Sequence, residues 1–459
     1  MRKINQLIEG NISQALIRLA LPIMGTSFVQ MAYNMTDMIW IGRVGSSAVA
    51  AVGTAGFYTW LAFAFILIPK IGAEVGVAQS VGREDFKEAK RYIRHTLQLI
   101  IALAVLYGTS LIVFRNPLIG FFNLGDMEIT EMAISYLVIV SFGMIFYFIN
   151  PVLTGILNGY GNSRIPFKLN VIGLIVNMIL DPMMILGLGP FPALGVKGAA
   201  LATVIAQSIV TFCFVYNIIK AKGEIFSGIY LLRTPDLVHM KSIVKLGLPV
   251  AIQSGLFTVF SMIIARIIAQ WGAIPIAVQK VGSQIEAISW MTAGGFSTAI
   301  SAFIGQNYGA HKWDRIQQGY YVALRIVGII GIGATCLLIF GAGPIFSFFL
   351  PEAEAIAYGV VYLRILGLSQ LFMCIEIATS GAFNGLGRTV PPSIIGILFN
   401  GLRIPLALIL SSSTFLGLNG VWWSISMTSI SKGIVLAAWF MVLLRRQSYK
   451  LVNKDIHSI

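Results

Sequence analysis

The sequence predicts an all-α integral membrane protein with twelve transmembrane helices in two six-helix bundles, and three observations lead to this fold class. Hydrophobic residues make up 57% of the chain and charged residues only 11%, which lies outside the range of soluble globular proteins. Apolar stretches long enough to cross a hydrocarbon core of about 30 Å recur along the whole chain. These stretches are apolar on every side, whereas the strands of a membrane barrel would alternate apolar and polar residues.

Twelve such stretches can be delimited, and each predicts one membrane-spanning helix. They cover residues 15–41, 49–80, 91–114, 132–157, 166–187, 195–220, 242–269, 275–305, 320–342, 355–384, 391–411 and 418–445. The first stretch is too long for the core of a signal peptide and has no evident cleavage site, so we expect it to remain as the first helix.

Lys and Arg residues are distributed unevenly between the predicted loops. Every second loop is basic, as are both chain ends, whereas the opposite loops contain only Arg43, Arg115 and Lys197. Because cytoplasmic loops carry the excess of basic residues, both termini are expected in the cytoplasm and the chain in the plasma (inner) membrane. Topology and anionic membrane lipid account for the net charge of +14, so no nucleic-acid partner is implied.

An internal repeat relates the two halves of the chain. A shift of 227 residues aligns LALP at 19–22 with LGLP at 246–249 and QSVG at 79–82 with QNYG at 306–309. Further matches follow in the same order, among them GLIVNMILDP at 173–182 with GILFNGLRIP at 396–405. Chance would rarely supply so many ordered matches, and duplication is therefore the preferred explanation.

The repeat divides the chain into three regions. Residues 1–220 are expected to form an N-terminal six-helix bundle, residues 221–241 a cytoplasmic linker, and residues 242–459 a C-terminal six-helix bundle. An even number of helices in each half gives both halves the same orientation, so a pseudo-two-fold axis along the membrane normal should relate them. Parallel repeats of this kind are a transporter architecture with the solute between the bundles. A duplication retained only for packing is the alternative.

Ionisable side chains within the spans are costly to insert and therefore indicate function. At 1.5 Å per residue, Asp37 lies about 6 Å from the outer end of its helix, Asp181 about 9 Å and Thr203 about 12 Å. Asn177 precedes Asp181 by one helical turn and shares its face. Pro182 follows Asp181 and leaves the carbonyl of the residue four positions earlier without its helical hydrogen bond.

Together these groups predict an oxygen-rich cluster suited to a hard cation or to a shared proton. The aligned positions in the second half are Ile264 and Ile404, so only the first half has the two acids. The alternative is structural, with either acid forming an ion pair with Arg266 or Arg403.

A second set of residues is predicted to line a substrate cavity. Glu286 and Glu376 could attract a cationic solute, and Tyr33, Asn34, Trp290 and Met291 could add aromatic, polar and adaptable apolar contacts. Each has a plain alternative: Glu286 could pair with Lys280, and the others could be ordinary packing or fixed structural groups.

Several functional classes are excluded by what the sequence lacks. There is no GxxxxGK[ST] loop for ATP, and the four histidines fall in loops or at helix ends, which disfavours a histidine metal site in the membrane. Motifs of a membrane prenyltransferase or an esterase are also missing. We therefore expect no enzyme activity and no organic cofactor, and an ion gradient as the energy source.

Three segments of the chain resemble signatures of one known family, the multidrug and toxic compound extrusion (MATE) transporters. LALPIMGTSFVQMAYNMTDMIWIGRVG is similar to the helix 1 signature of that family, and NMILDP followed by GVKGAALATV is similar to its helix 5 and 6 signatures. The resemblance covers essentially the whole chain, including the doubled layout and the GQNYGA segment after helix 8.

The resemblance implies a prokaryotic antiporter that exchanges Na⁺ or H⁺ for drug-like, often cationic compounds through a V-shaped cavity between the bundles. Matching the motifs implies a cation site at Asp37, Asn177, Asp181 and Thr203, joined by the backbone carbonyl of Ala199. The sequence departs from the family in its longer helix 5–6 loop, GLGPFPALG, and in a helix 7 without an acidic residue.

A flippase for lipid-linked oligosaccharides, which has related architecture, is the alternative function. Such flippases have a basic central cavity, and Arg266, Lys280 and Arg403 keep this possibility open.

Overall fold

A computed structural model describes residues 7–189, 192–220, 226–231, 233–349, 352–412 and 416–456. Within these ranges the chain forms sixteen α-helices and no strands. A helix pairs its backbone N–H and C=O groups within one segment, which is why apolar chains adopt it in lipid. The all-α prediction is confirmed.

Eight helices lie in the first half of the chain. They are α1 (Ile12–Val44), α2 (Ser46–Gly82), α3 (Phe86–Val113), α4 (Arg115–Gly120), α5 (Met127–Phe142), α6 (Met144–Gly159), α7 (Arg164–Leu186) and α8 (Val196–Lys220).

Eight more follow the segment between the halves. They are α9 (Leu237–Ala269), α10 (Ala273–Gly309), α11 (Trp313–Phe340), α12 (Ala342–Phe349), α13 (Ala353–Gly367), α14 (Gln370–Gly385), α15 (Val390–Leu410) and α16 (Leu418–Ile456).

Ten of the described helices are long and apolar enough to cross a membrane, or twelve spans if each of two bent pairs counts as one. The bent pairs are α5 with α6, at 52°, and α13 with α14, at 48°. They fall where the sequence predicts single spans at 132–157 and 355–384. Counting each pair as one span gives the predicted twelve, with a kink that hydrophobicity alone does not reveal.

The backbone reproduces the sequence repeat. The shift of 227 residues carries α2 onto α10 and α3 onto α11 at both ends of each helix. Gly45 (φ 139°) and Gly272 (φ 105°) precede the second helix of each half, and Glu84 (φ 59°) and His311 (φ 58°) occupy matching turns. These two pairs of equivalent positions with positive φ show that the duplication preserves the turns as well as the helices.

The chain divides into two compact units, one of Met1–Met24 with Pro249–Ile459 and the other of Gly25–Leu248. Both divisions fall inside helices, in α1 just after Pro22 and in α9 at Pro249. Proline removes a helical hydrogen bond and favours bending. The predicted boundaries at 220 and 242 describe the repeats, whereas the compact units are defined by packing.

Candidate cation site

Helix α7 provides the core of the candidate site. Asn177 and Asp181 lie one turn apart on its buried face, and both side chains are fully buried. The Asn177 amide donates a hydrogen bond to Asp181 Oδ1 at 3.0 Å. Pro182 lies inside the helix, which nevertheless continues to Leu186 and ends at Gly187 in the left-handed conformation (φ 75°). The asparagine thus fixes the orientation of the carboxyl group.

Helix α1 brings a second carboxyl group to the first. The side chain of Asp37 lies within hydrogen-bonding reach of both Asp181 and Asn177. Helix α8 adds Thr203, and Ala199 is buried on α8 one turn earlier. The structure therefore gathers the predicted acids, the amide and the hydroxyl within one compact unit.

Several oxygen atoms at this site have no hydrogen-bond partner among the described residues although they are buried. They are Tyr33 Oη, Asp37 Oδ1, Asn177 Oδ1, Asp181 Oδ2 and Thr203 Oγ1. A buried polar atom without a partner costs about 1–3 kcal/mol. Five such oxygens in one cluster are what a cation bound by protein oxygens would satisfy, and carboxylate, amide and hydroxyl oxygens suit a hard cation.

Two carboxyl groups in mutual contact also suit a proton. If both were ionised, their repulsion in a low-dielectric site would be large, so a proton or a cation has to lie between them. The arrangement can therefore hold either H⁺ or Na⁺.

Within the part of the chain that the structure describes, neither acid is paired with a basic residue. Among the described residues no Lys, Arg or His forms a salt bridge with Asp37 or Asp181. Arg403, one of the two proposed structural partners, instead donates to Thr428 Oγ1 at 3.0 Å and Ser429 Oγ at 2.9 Å. The structural ion pair that the sequence left open is thus not formed with Arg403.

Two tyrosines extend the cluster. Tyr33 is buried, and its hydroxyl lies beside that of Thr203 and near both carboxyl groups, so it belongs to the candidate cation site. Its role in a substrate cavity stays a prediction. Tyr136 on α5 is also buried and lies near both acids. Sequence reasoning missed Tyr136 because a single tyrosine in an apolar helix gives no signal of its own.

Comparison with known proteins identifies the family. The MatE family model matches residues 22–183 and again residues 249–409, one match in each repeat. The chain belongs to the MatE family. It is accordingly a multi-pass membrane transporter and not an enzyme, as the sequence predicted.

Relatives of this MatE protein span nearly its whole length. It is 29% identical to "Probable multidrug resistance protein NorM" of Thermotoga maritima, over 90% of this chain and 88% of the relative. It is 26% identical to "Probable multidrug resistance protein YoeA" of Bacillus subtilis, over 87% of each chain. The fold is shared with "Crystal structure of MATE in the bent conformation", at a TM-score of 0.90 and 24% identity, over 98% of this chain and 99% of the other.

The second repeat of this MatE protein contains a different polar cluster, centred on Glu286 of α10. Its carboxylate accepts hydrogen bonds from the Tyr362 hydroxyl and from Gln370 Nε2, the latter at 3.1 Å. The Trp422 indole donates to Gln279, whose amide reaches the Tyr362 hydroxyl at 3.5 Å. Neutral donors therefore hold Glu286 in place, in contrast to the suggested ion pair with Lys280.

Glu376 on α14 has a cationic partner. Its carboxylate lies 3.4 Å from the Lys432 ammonium, and both side chains are only 8% exposed. Removing one member of a buried pair leaves an uncompensated charge, so this pair is a fixed feature of the second repeat. The structure thus favours the structural alternative for Glu376 over a role in a substrate cavity.

The remaining residues predicted to line the substrate cavity are Asn34, Trp290 and Met291. Asn34 and Trp290 are exposed, and Met291 is half-buried. Asn34 belongs to one compact unit and the other two to the second. Their role in substrate binding stays a prediction. The predicted extended loop GLGPFPALG includes Pro190 and Phe191, which lie outside the described residues.

Proposed function

We propose that this MatE protein is an antiporter that exports drug-like, often cationic organic compounds by alternating access, in exchange for H⁺ or Na⁺. The observation that carries the proposal is the contact between Asp37 and Asp181, two membrane-embedded acids without a basic partner among the described residues. A permanent salt bridge would stabilise one state, whereas an uncompensated pair of acids has to exchange a proton or a cation to change its charge.

Coupling requires the cation and the drug to favour different conformations. A ligand shifts an equilibrium only through its differential affinity for the two states. Cation binding at Asp37 would draw the outer half of α1 toward α7 and α8, and α1 contains Pro22 near the division between the compact units. Bending of α1 at Pro22 or near Gly25 would then weaken drug binding in the outward-facing state and release the drug.

The proposed substrates are small organic molecules. The named relatives are described as multidrug resistance proteins, which supports this class. Glu286, whose nearest hydrogen-bond partners are neutral, is the acid of the second repeat best suited to attract a cationic group. In this proposal the chain lies in the inner membrane with both termini in the cytoplasm.

The proposal is tested by imposing one gradient at a time on proteoliposomes loaded with a fluorescent cationic dye. With either an inward H⁺ gradient or an inward Na⁺ gradient, dye should be exported against its own gradient. A tenfold ion gradient stores about 1.4 kcal/mol per ion, which supports a dye ratio of about tenfold for one-for-one exchange. Dye efflux that is the same with and without each gradient would rule out cation coupling.

A second assay separates the antiporter from the alternative flippase. The same vesicles should not translocate a lipid-linked oligosaccharide faster than protein-free vesicles. Translocation of that lipid together with absence of dye efflux would support the flippase instead.

A further inference from the structure

His239, at the start of α9, is held between two carboxylates. Its Nδ1 lies 2.6 Å from Asp236 Oδ2, and its Nε2 lies 2.9 Å from Glu88 Oε1 of α3. The imidazole is largely buried, with 15% of the side chain exposed. We name these three residues the histidine clamp. All three belong to the compact unit Gly25–Leu248, so the clamp fastens the first turn of α9 to the first repeat.

The geometry of the histidine clamp requires a doubly protonated ring. A carboxylate only accepts hydrogen bonds, whereas a neutral imidazole has one N–H donor and one acceptor nitrogen. With a neutral ring, one nitrogen lone pair would therefore face a carboxylate lone pair. Histidine is also the side chain whose ordinary charge change falls between pH 5 and 8. Both contacts are complete in the imidazolium form, and loss of either ring proton removes one of them.

Two titratable neighbours of His239, Asp236 and His95, keep the same charge near neutral pH. The hydrogen bond from His239 keeps the pKa of the exposed Asp236 below its ordinary value, so Asp236 stays ionised at neutral pH. His95 stacks on His239 with ring centroids 5.2 Å apart. His95 Nδ1 lies 2.7 Å from the Arg91 carbonyl oxygen, and His95 Nε2 lies 3.4 Å from an Arg94 nitrogen. The carbonyl accepts a hydrogen bond and the guanidinium donates one, which favours a neutral His95 with its proton on Nδ1.

Several charged and titratable groups of the described residues face the clamp, and the Arg91 guanidinium lies 3.4 Å from Glu88 Oε2. They are Glu88, Arg91, Tyr92, Arg94 and His95 on α3, and Asp236 before α9.

The rest of the segment before Pro249 is also packed on the first repeat. The side chain of Gln98 donates to the carbonyls of Leu231 and Arg233 at 2.7 and 2.8 Å. An added Cβ at Gly247 would collide with the Ile68 carbonyl oxygen, so α9 and α2 are in direct backbone contact there. The clamp therefore secures one end of a segment whose other end is the proline of α9.

The equivalent segment before α1 is held by groups that do not titrate near neutral pH. Arg315 donates to the carbonyls of Leu7, Glu9 and Gly10, at 3.2, 3.0 and 2.9 Å. The shift of 227 residues places Arg315 on Glu88. The duplicated scaffold thus uses a permanent cation in one half and a histidine in the other.

We propose that the histidine clamp is a pH-sensitive latch on the start of α9, closed when His239 is doubly protonated and loosened when cytoplasmic pH rises. The latch controls how firmly residues 237–248 are held on the first repeat. This inference does not depend on which ion drives transport, nor on the identity of the drug.

Amide hydrogen exchange of the full-length protein in lipid nanodiscs tests the latch. After correction for the intrinsic effect of pH on exchange, protection of residues 237–248 should fall about three- to tenfold from pH 6 to pH 8.5, the size expected for one lost hydrogen bond. Residues 12–24, anchored through Arg315, serve as the internal reference and should keep their protection.

Two variants distinguish a titrating latch from simple packing. Glu88→Gln should abolish the pH effect, because the glutamine amide can donate to the neutral ring and accept from the charged one. His239→Arg should also abolish it, because the guanidinium keeps its charge. His311→Asn is the control, because His311 is an exposed histidine of the second repeat, in the turn equivalent to that of Glu84. This variant should retain the wild-type pH effect.

The result for Glu88→Gln decides the proposal. A flat pH profile in this variant, beside a pH-dependent wild type, supports the latch. A wild-type protein without the pH-dependent loss, or a Glu88→Gln variant that retains it in full, would overturn the proposal. Neither result bears on whether the chain transports drugs.

Discussion

Asp37→Asn is expected to reduce cation-driven efflux by about 100-fold or more while the protein still inserts and folds, since coupling energies reach about 3 kcal/mol. The amide neither binds a proton nor supplies the negative charge that a cation needs. It is nearly isosteric with the carboxyl group and can still bond to Asp181 and Asn177, whose contacts define the site. Loss of transport would therefore reflect lost coupling rather than lost packing.

The measurement is dye efflux from proteoliposomes with the gradient that drives the wild type. Asp126→Asn is the matched control, because Asp126 is an exposed acid that caps α5 in the same repeat, and asparagine caps helices equally well. This control should transport at the wild-type rate. If Asp37→Asn did so too, the coupling mechanism proposed for the two acids would be wrong.

Much of the fold could be predicted because the information is local. The length and apolarity of each stretch determine whether it can span the membrane, and a repeated turn residue such as Gly45 or Gly272 keeps its place in both halves. The 52° bend at Gly143 could not be predicted, because it depends on packing around a kink within a continuous apolar stretch. The short helices α4 and α12 could not be predicted either, because RNP at 115–117 and GAGP at 341–344 indicate a break and each helix is too short to show a period of its own.

The side chains of the candidate site could likewise be predicted only where local information determines their position. Helical spacing and depth placed Asp37, Asn177, Asp181 and Thr203 near one level, because each estimate needs only the position of a helix end. Tyr136 could not be found this way, since which face of α5 points to the acids depends on helix rotation. The Glu376–Lys432 pair joins α14 to α16, and no local pattern specifies that contact.

A close approach between α7 and α8 suggests how the backbone sets the cation site. An added Cβ at Gly198 would collide with the Met184 carbonyl oxygen. Met184 follows Asp181 by three residues on α7, and Gly198 precedes Thr203 by five on α8. Only a residue without a side chain allows these helices to approach so closely. The glycine therefore determines the distance between two groups of the site.

Gly198→Ala is expected to destabilise the protein by about 1–3 kcal/mol and, in addition, to weaken cation binding. The added methyl group forces α8 away from α7 and moves Thr203 away from Asp181. A bound cation raises the melting temperature according to its affinity. The variant should therefore lose most of the melting shift that Na⁺, or acidification, produces in the wild type.

Gly420→Ala provides a control with the same steric change in the other repeat. Its added Cβ would likewise collide with a backbone carbonyl oxygen, that of Leu410. The aligned acids are isoleucines in this half, so Gly420→Ala should lower the melting temperature and keep the cation-dependent shift. An equal cation-dependent shift in melting temperature in both glycine variants would show that the spacing of α7 and α8 does not govern cation affinity. The oxygen cluster would then have to be adaptable rather than pre-formed.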